Sequence, residues 1–425
     1  MRYTLGMMTQ DPKARASGGQ GVHEPFLSRV VIRNYKSIGK CDISLSPLTV
    51  LVGRNGAGKS NFLDALRFVV DGLQTSLDHA LKSRGGIKSV RRQSTGHPRN
   101  FEIGVEFNLP DWRKGTYGFE IAARPEGGFS VKWERLKIVD PRLLGSAYYE
   151  LADGEIQRTS QDRMPKAMAD RLYLVAASGV PEFRPAYDAL TSMGFYNLNP
   201  EAMKELQAPD AGELLHRDGA NIASVIARLR ADAPEEKERI ERYLGEIVSG
   251  VAGVDQVTLG PRETIQFRQT VVGAEHPWHF YAANMSDGTL RALGILVAVS
   301  QRGYHKDRAR LVGIEEPETA LHPAAANALM DALTEAGEHT QVLLTTHSAD
   351  LLEAMEPDPN GLLAVEARKG ETSIGPIDEA SKKTIREHLY SAGELLRMDQ
   401  LELDKRDLER QSESSLFVEP SEAES

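Results

Sequence analysis

Apolar and polar positions alternate from Phe26 onward in FLSRVVIRNY, and in CDISLSPLTVLVG the alternation gives way to an unbroken apolar run. Alternation predicts a strand with one wet face, and the unbroken run predicts a strand covered on both. A helical period follows in FLDALRFVVDGL. Alternation returns in FEIGVEFNL, YGFEIAARP and FSVKWERLKI, spaced by turn residues as in an antiparallel sheet. From 165 to 250 the pattern is helical, in AMADRLYLV, EFRPAYDAL, NIASVIARLR and APEEKERIERYLGEIVSGV, without sustained heptads. Strand patterns resume in VDQVTLG and ETIQFRQTVV. The last third runs helix MSDGTLRALGIL, apolar strand ARLVGIEEP, helix PAAANALMDALTEAG, strand QVLLTTHS and a further helix. That order predicts a mainly parallel sheet.

The expected fold class is therefore α/β, with a mixed central sheet, an antiparallel β subdomain and a helical insertion. The expected segments are a flexible leader over 1–25, a first half over 26–164, the helical insertion over 165–250, a second half over 251–400 and an acidic disordered tail over 401–425. Leader and tail are rich in small and polar residues and poor in apolar periodicity.

Composition narrows the class. The 425 residues, 40% hydrophobic and 26% charged, are enough for a sizeable core. No apolar run approaches the roughly 20 residues that span a bilayer. The first residues show no apolar export segment, so a cytoplasmic protein is expected. A single cysteine, Cys41, excludes an internal disulfide and a cysteine-rich metal site. The net charge of −10 argues against a surface that is basic overall and leaves a local basic patch open.

Residues 53–60 read GRNGAGKS, a full match to G-x-x-x-x-G-K-[ST] between the strand LTVLV and a helix. Gly53, Gly56 and Gly58 let the backbone turn its N–H groups inward at phosphate oxygens, with Arg54, Asn55, Ala57 and Asn61 in the same cradle. Lys59 is placed to reach the β- and γ-phosphates of ATP, and Ser60 to ligate Mg²⁺. A glycine-rich turn that holds nothing is the competing explanation; correct flanks on both sides favour the nucleotide. Farther on, RLVGIEEPETALHP ends an apolar strand, expected beside the P-loop, with two consecutive acids. Strand alternation gives each a different side. Glu315 then faces the Mg²⁺ shell, and Glu316 orients or activates the attacking water. A polar strand end before proline would look the same in isolation. His347, at the end of QVLLTTHS, is placed to hydrogen-bond the γ-phosphate or the water.

The order GRNGAGKSN, MSDGTLR, GIEEPETALHP, TTHSADLL resembles the ABC-type ATPases of the SMC, RecF and OLD group, and among them the compact AAA-family ATPases. The opening VVIRNYKSIGKCDISLSPLTVLVG and the pair FYNLNPEAMKELQ and LHRDGANIASVIARL are similar too, the latter without assigned chemistry. The resemblance covers roughly 27–398. It implies a P-loop NTPase of ABC type in which two copies sandwich two nucleotides, closing on Mg-ATP and opening on hydrolysis. Ser286 and Gly288 would then present a hydroxyl and backbone N–H groups to the nucleotide of the partner copy. The resemblance further implies a glutamine that senses Mg²⁺ and γ-phosphate, with Gln93 in VRRQSTGHP as candidate. Where related loops carry an acid, this one has His322. Neither a Toprim nuclease portion nor long coiled-coil arms are expected.

The stretch LKSRGGIKSVRRQSTGHPRN holds Lys82, Arg84, Lys88, Arg91, Arg92 and Arg99 and no acid. It suits salt-sensitive contact with a DNA backbone, with Arg91 and Arg92 as candidates. A solvated basic loop, or arginines reaching ATP across the dimer, fits the same composition. Two classes of function follow: a DNA-linked ATPase of repair or defence against phage or plasmids, and a regulatory ATPase acting through a separate effector protein.

Overall fold

The computed structural model describes residues 24–94, 98–109, 111–142, 145–301, 309–322, 325–354 and 358–413. The leader up to residue 23 and the tail from 414 lie outside the described residues. The strands are β1 Leu27–Tyr35, β2 Ile38–Ser44, β3 Leu48–Val52, β4 Asn100–Asn108, β5 Lys114–Ala123, β6 Phe129–Val139, β7 Ser146–Ala152 and β8 Glu155–Thr159. The second half adds β9 Gly194–Tyr196, β10 Val251–Leu259, β11 Arg262–Gln269, β12 Trp278–Tyr281, β13 Leu311–Glu315, β14 Gln341–Thr346, β15 Leu362–Arg368 and β16 Glu371–Pro376.

Among the described residues, 13 strands make one mixed sheet in the order β8-β7-β6-β5-β4-β1-β2-β16-β15-β3-β14-β13-β9, and β10-β11-β12 form a separate antiparallel sheet. The stretch from β8 to β2 is antiparallel throughout. The stretch β15-β3-β14-β13-β9 is parallel. In β3, Leu51 joins the core on one face while Val50 and Val52 join the core on the other, so this strand is covered on both sides. The helix Lys59–Gln74 packs on the first face through Phe62, Leu63, Leu66, Phe68 and Val69. The helix Asp287–Val299 lies in the second core, buried nearly all round from Thr289 to Val299.

Three features differ from the sequence pattern. The 165–250 stretch is helical over Arg184–Thr191, Ile222–Asp232 and Pro234–Ile247, yet it also gives β9, which pairs in parallel with β13 and closes one edge of the sheet. Three residues are too few to show a period against helical surroundings. AMADRLYLV is mostly loop, ending in the single helical turn Leu174–Ala177. There the fully buried Glu134 of β6 accepts from Tyr173 N at 2.5 Å and Leu174 N at 2.8 Å, and from the hydroxyls of Tyr149 and Tyr117 at 2.7 and 3.1 Å. Burial pushes the Glu134 carboxyl up despite these four donors. Lastly, Lys405–Glu413 is helix where the pattern gave an unstructured tail. Its Gln411 donates to Ile374 O of β16 and accepts from Asp42 N of β2, a tertiary tie that local periodicity does not show. No helix among the described residues is long and apolar enough to cross a membrane.

Candidate nucleotide site

The P-loop leaves the C-terminal end of β3 and enters the helix Lys59–Gln74 at Gly58, whose φ is 103°. An added Cβ there would lie 2.1 Å from Thr372 Oγ1, so only glycine satisfies both the backbone and the space. A directional chain of hydrogen bonds braces the turn. Asn61 Nδ2 donates to Ser37 Oγ at 2.7 Å, the Ser37 and Thr372 hydroxyls lie 2.7 Å apart, and Thr372 donates to Ala57 O at 2.8 Å. Arg54, Asn55, Gly56 and Ser60 are exposed, while Ala57 and Lys59 are buried. Lys59 Nζ donates to Gly53 O at 2.7 Å and to Arg54 O at 3.1 Å. Burial lowers the Lys59 pKa, opposed by the charges of Glu316 and Glu318.

Those two acids reach the lysine because three strands end level. Val52 of β3 stands opposite Thr346 of β14, and Thr345 opposite Glu315 of β13. The strand that ends in Glu315 is separated from β3 by β14. His347 and the acids consequently share one edge, at the carboxyl ends of parallel strands where open α/β sheets bind ligands. His347 Nδ1 lies 3.3 Å from Glu316 Oε1 and 3.7 Å from Glu318 Oε1. Glu318, which no motif singled out, accepts from Thr346 Oγ1 at 2.5 Å and from His347 N at 3.3 Å. Glu316 itself is left-handed, with φ 44°, and its N–H donates to Thr345 O at 3.0 Å.

Glu315 faces the other way. It lines a small cleft with Leu63, Asp64, Arg67, Phe195 and Arg217, and Arg217 Nη2 stands 3.9 Å from its Oε1. Leu63, Asp64 and Arg67 share one face of the P-loop helix, and Ser60 lies one turn before them on that face. One hydroxyl and one carboxylate on a common side, completed by substrate phosphates, is a donor set that suits Mg²⁺. Burial and the nearby Arg67 charge lower the Arg217 pKa, and Glu315 opposes them.

Ser286 caps the helix Asp287–Val299, accepting from Thr289 N at 3.2 Å, and both Ser286 and Asp287 are exposed. Gly288 packs within its own chain: a Cβ there would lie 2.2 Å from Ala320 O. One turn on, Arg291 donates to Leu198 O at 3.3 Å, Glu315 O at 3.4 Å and Glu316 O at 3.5 Å. With Arg217, Asp218 and the Asn197–Pro200 segment it lines a cleft of about 590 Å³.

A family model described as "AAA ATPase domain" matches residues 26–163, and one described as "AAA domain, putative AbiEii toxin, Type IV TA system" matches 181–353. The chain is thus similar to AAA-family ATPase domains over these two stretches. Among curated relatives, the "DNA replication and repair protein RecF" of Actinobacillus pleuropneumoniae serotype 5b (strain L20) is 23% identical over 376 residues, covering 78% of this chain and 94% of that protein. An "ATP/GTP phosphatase" of Helicobacter pylori (strain ATCC 700392 / 26695) is 19% identical over 349 residues, covering 78% and 88%. In fold, the chain matches an SmcHead bound to the C-winged helix domain of ScpA, with TM-score 0.55, 14% identity and coverage of 84% and 99%. A Smc head from Pyrococcus furiosus with an extended coiled coil, bound to the C-terminal domain of ScpA, gives TM-score 0.51, 13% identity and coverage of 86% and 99%. The longest helix among the described residues has 16 residues.

The basic stretch is largely engaged inside the chain. Arg84, 2% exposed, pairs with Asp64 at 3.0 Å and Asp71 at 2.8 Å, both on the P-loop helix. Arg91 donates to Pro98 O at 2.6 Å, and Arg92 pairs with Glu371 at 2.7 Å. Lys82 pairs with Asp78 on the surface. Gln93 is exposed and donates to Lys88 O at 3.3 Å. Lys59, Glu316 and His347 lie at one sheet edge, Glu315 turns to the neighbouring cleft, and the contact described for Gln93 is the one to Lys88. The sequence missed Glu318 and Arg291, although both lie inside quoted motifs; it missed Ser37 and Thr372 because nothing local marks residues 335 positions apart.

Proposed function

We propose that the chain is an ATP-binding and ATP-hydrolysing switch that works as two copies. The observation behind this reading is the meeting of the Lys59 cradle, the two acids and His347 at one sheet edge. Lys59 exchanges its hold on Gly53 O and Arg54 O for the β- and γ-phosphates. Ser60 and Glu315 would hold Mg²⁺, which would neutralise phosphate charge when bound. Glu316 accepts the proton of the attacking water, and His347, beside it, orients that water or the γ-phosphate. The exposed start of the helix Asp287–Val299 offers Ser286 and Gly288 to the nucleotide of the second copy. Lys59→Ala removes turnover; a variant that hydrolyses ATP at the wild-type rate would refute the site.

The output of the switch has two readings. The likeness to a protein of DNA replication and repair supports a link to DNA. The internal pairing of Arg84, Arg91 and Arg92 supports a separate effector protein instead, as does the seating of ScpA pieces on the Smc heads of like fold. ATP turnover with and without double-stranded DNA, at low and raised salt and with Glu316→Gln as blank, separates them. A salt-sensitive rise supports DNA; turnover indifferent to DNA supports the effector.

A further inference from the structure

The segment 315–320 carries both Glu316 and Glu318, and two of its residues are strained. Glu316 has φ 44° and Ala320 φ 66°, a region that non-glycine residues adopt only when their surroundings hold them there. The same helix grips the segment at both ends. Gly288 sits against Ala320 O so closely that any side chain would collide with it. Arg291 spreads its guanidinium over the carbonyls of Glu315 and Glu316, and its Nη1 anchors to Leu198 O after β9. Neither residue reaches the P-loop in its own chain by any hydrogen bond described above.

We propose that Arg291 is a positioning residue: with Gly288 it binds the helix Asp287–Val299 to the 315–320 turn as one body, and so sets the Glu316 carboxylate. The inference rests on the ATPase reading above and deepens it. Whatever the exposed start of this helix contacts is thereby felt at the base of the same chain. The two arms of the planar fork divide the work, Nη1 holding Leu198 O and Nη2 shared between the Glu315 and Glu316 carbonyls, a fixed geometry that a flexible ammonium does not reproduce.

The test is Arg291→Met and Arg291→Lys, measured for ATP turnover and separately for binding of a fluorescent ATP analogue. Arg291→Met should lower kcat roughly 10- to 100-fold, because a misplacement of about 1 Å costs that much, while affinity for the analogue stays within about twofold. Arg291→Lys should recover part of kcat. A kcat within about twofold of wild type in Arg291→Met overturns the proposal, and so does a parallel loss of analogue binding that Arg291→Lys does not restore. A second readout needs no turnover. Hydrogen exchange at the Glu316 amide, which donates to Thr345 O, should speed up in nucleotide-free Arg291→Met, and unchanged exchange overturns the brace. If wild-type protein fails to hydrolyse ATP, the ATPase reading falls while the exchange result still judges the brace.

Discussion

Replacing Gly58 by alanine tests the P-loop geometry in numbers. The φ of 103° costs a side-chain-bearing residue about 1–3 kcal/mol. The added Cβ would also meet Thr372 Oγ1 at 2.1 Å and Cγ2 at 2.8 Å. Thr372 is 1% exposed and cannot swing aside without leaving the buried Ala57 carbonyl and the Ser37 hydroxyl. Overpacking of this kind costs another 1–3 kcal/mol or so, so Gly58→Ala should destabilise by roughly 2–6 kcal/mol in all. Thr372→Ala alone leaves the Ala57 carbonyl unpaired, at about 1–3 kcal/mol. In the double variant the clash with Thr372 is relieved, while the φ share and a tight 3.0 Å approach to Ser37 Oγ stay. Urea denaturation of the four proteins, followed by circular dichroism and by fluorescence, should therefore give a coupling of about 1–3 kcal/mol in the relieving direction. A coupling within about 0.5 kcal/mol of zero would show that the two residues do not collide, and the described turn would be wrong.

Other outcomes follow from the same contacts. Glu316→Gln should lower turnover by about 100-fold or more while leaving nucleotide bound, and should accumulate an ATP-bound dimer on a sizing column; normal hydrolysis would assign the base elsewhere. Arg84→Ala strips a buried guanidinium from Asp64 and Asp71 and should lower the urea midpoint, at about 3 kcal/mol, with no separate loss of DNA affinity. Wild-type stability in that variant would return Arg84 to the surface. The Glu134 carboxyl, pushed up by burial, contributes most stability below its ordinary pKa of 4.5 and loses it as pH rises through the raised value. Stability of wild type relative to Glu134→Gln should thus grow as pH falls from about 7 towards 5; a difference that shrinks would reverse the assigned direction.

The P-loop was legible because its chemistry forces contiguous residues: glycines for the turn, a lysine and a hydroxyl at the helix start. The parallel strands β3, β13 and β14 were legible from their unbroken apolar runs, whereas β9 and β15, which join the same stretch, were not. Strand order was not, since β14 enters between β3 and β13 from a later part of the chain, and alternation says nothing about neighbours. Charge was misleading for a physical reason. Arg84 sits in a run that looks like a solvated loop, but its partners are Asp64 and Asp71, one face of a helix distant in the pattern. Glu318 and Arg291 act through a hydroxyl and through backbone carbonyls, groups that every sequence has and none advertises.

The placement of β3 also bears on how the molecule is made. Both its neighbours, β14 and β15, come from chain about 290 residues or more downstream. At roughly 5–20 residues per second, that gap amounts to about 15–60 s of synthesis. Throughout it the ribosome-bound chain carries a finished GRNGAGKS while the apolar LTVLV before it lacks both its sheet neighbours. Until β14 and β15 arrive, the emerging N-terminal half exposes an apolar strand open to pairing with other chains. Separate expression of that half should yield aggregate, with rescue only when the later strands are supplied alongside it.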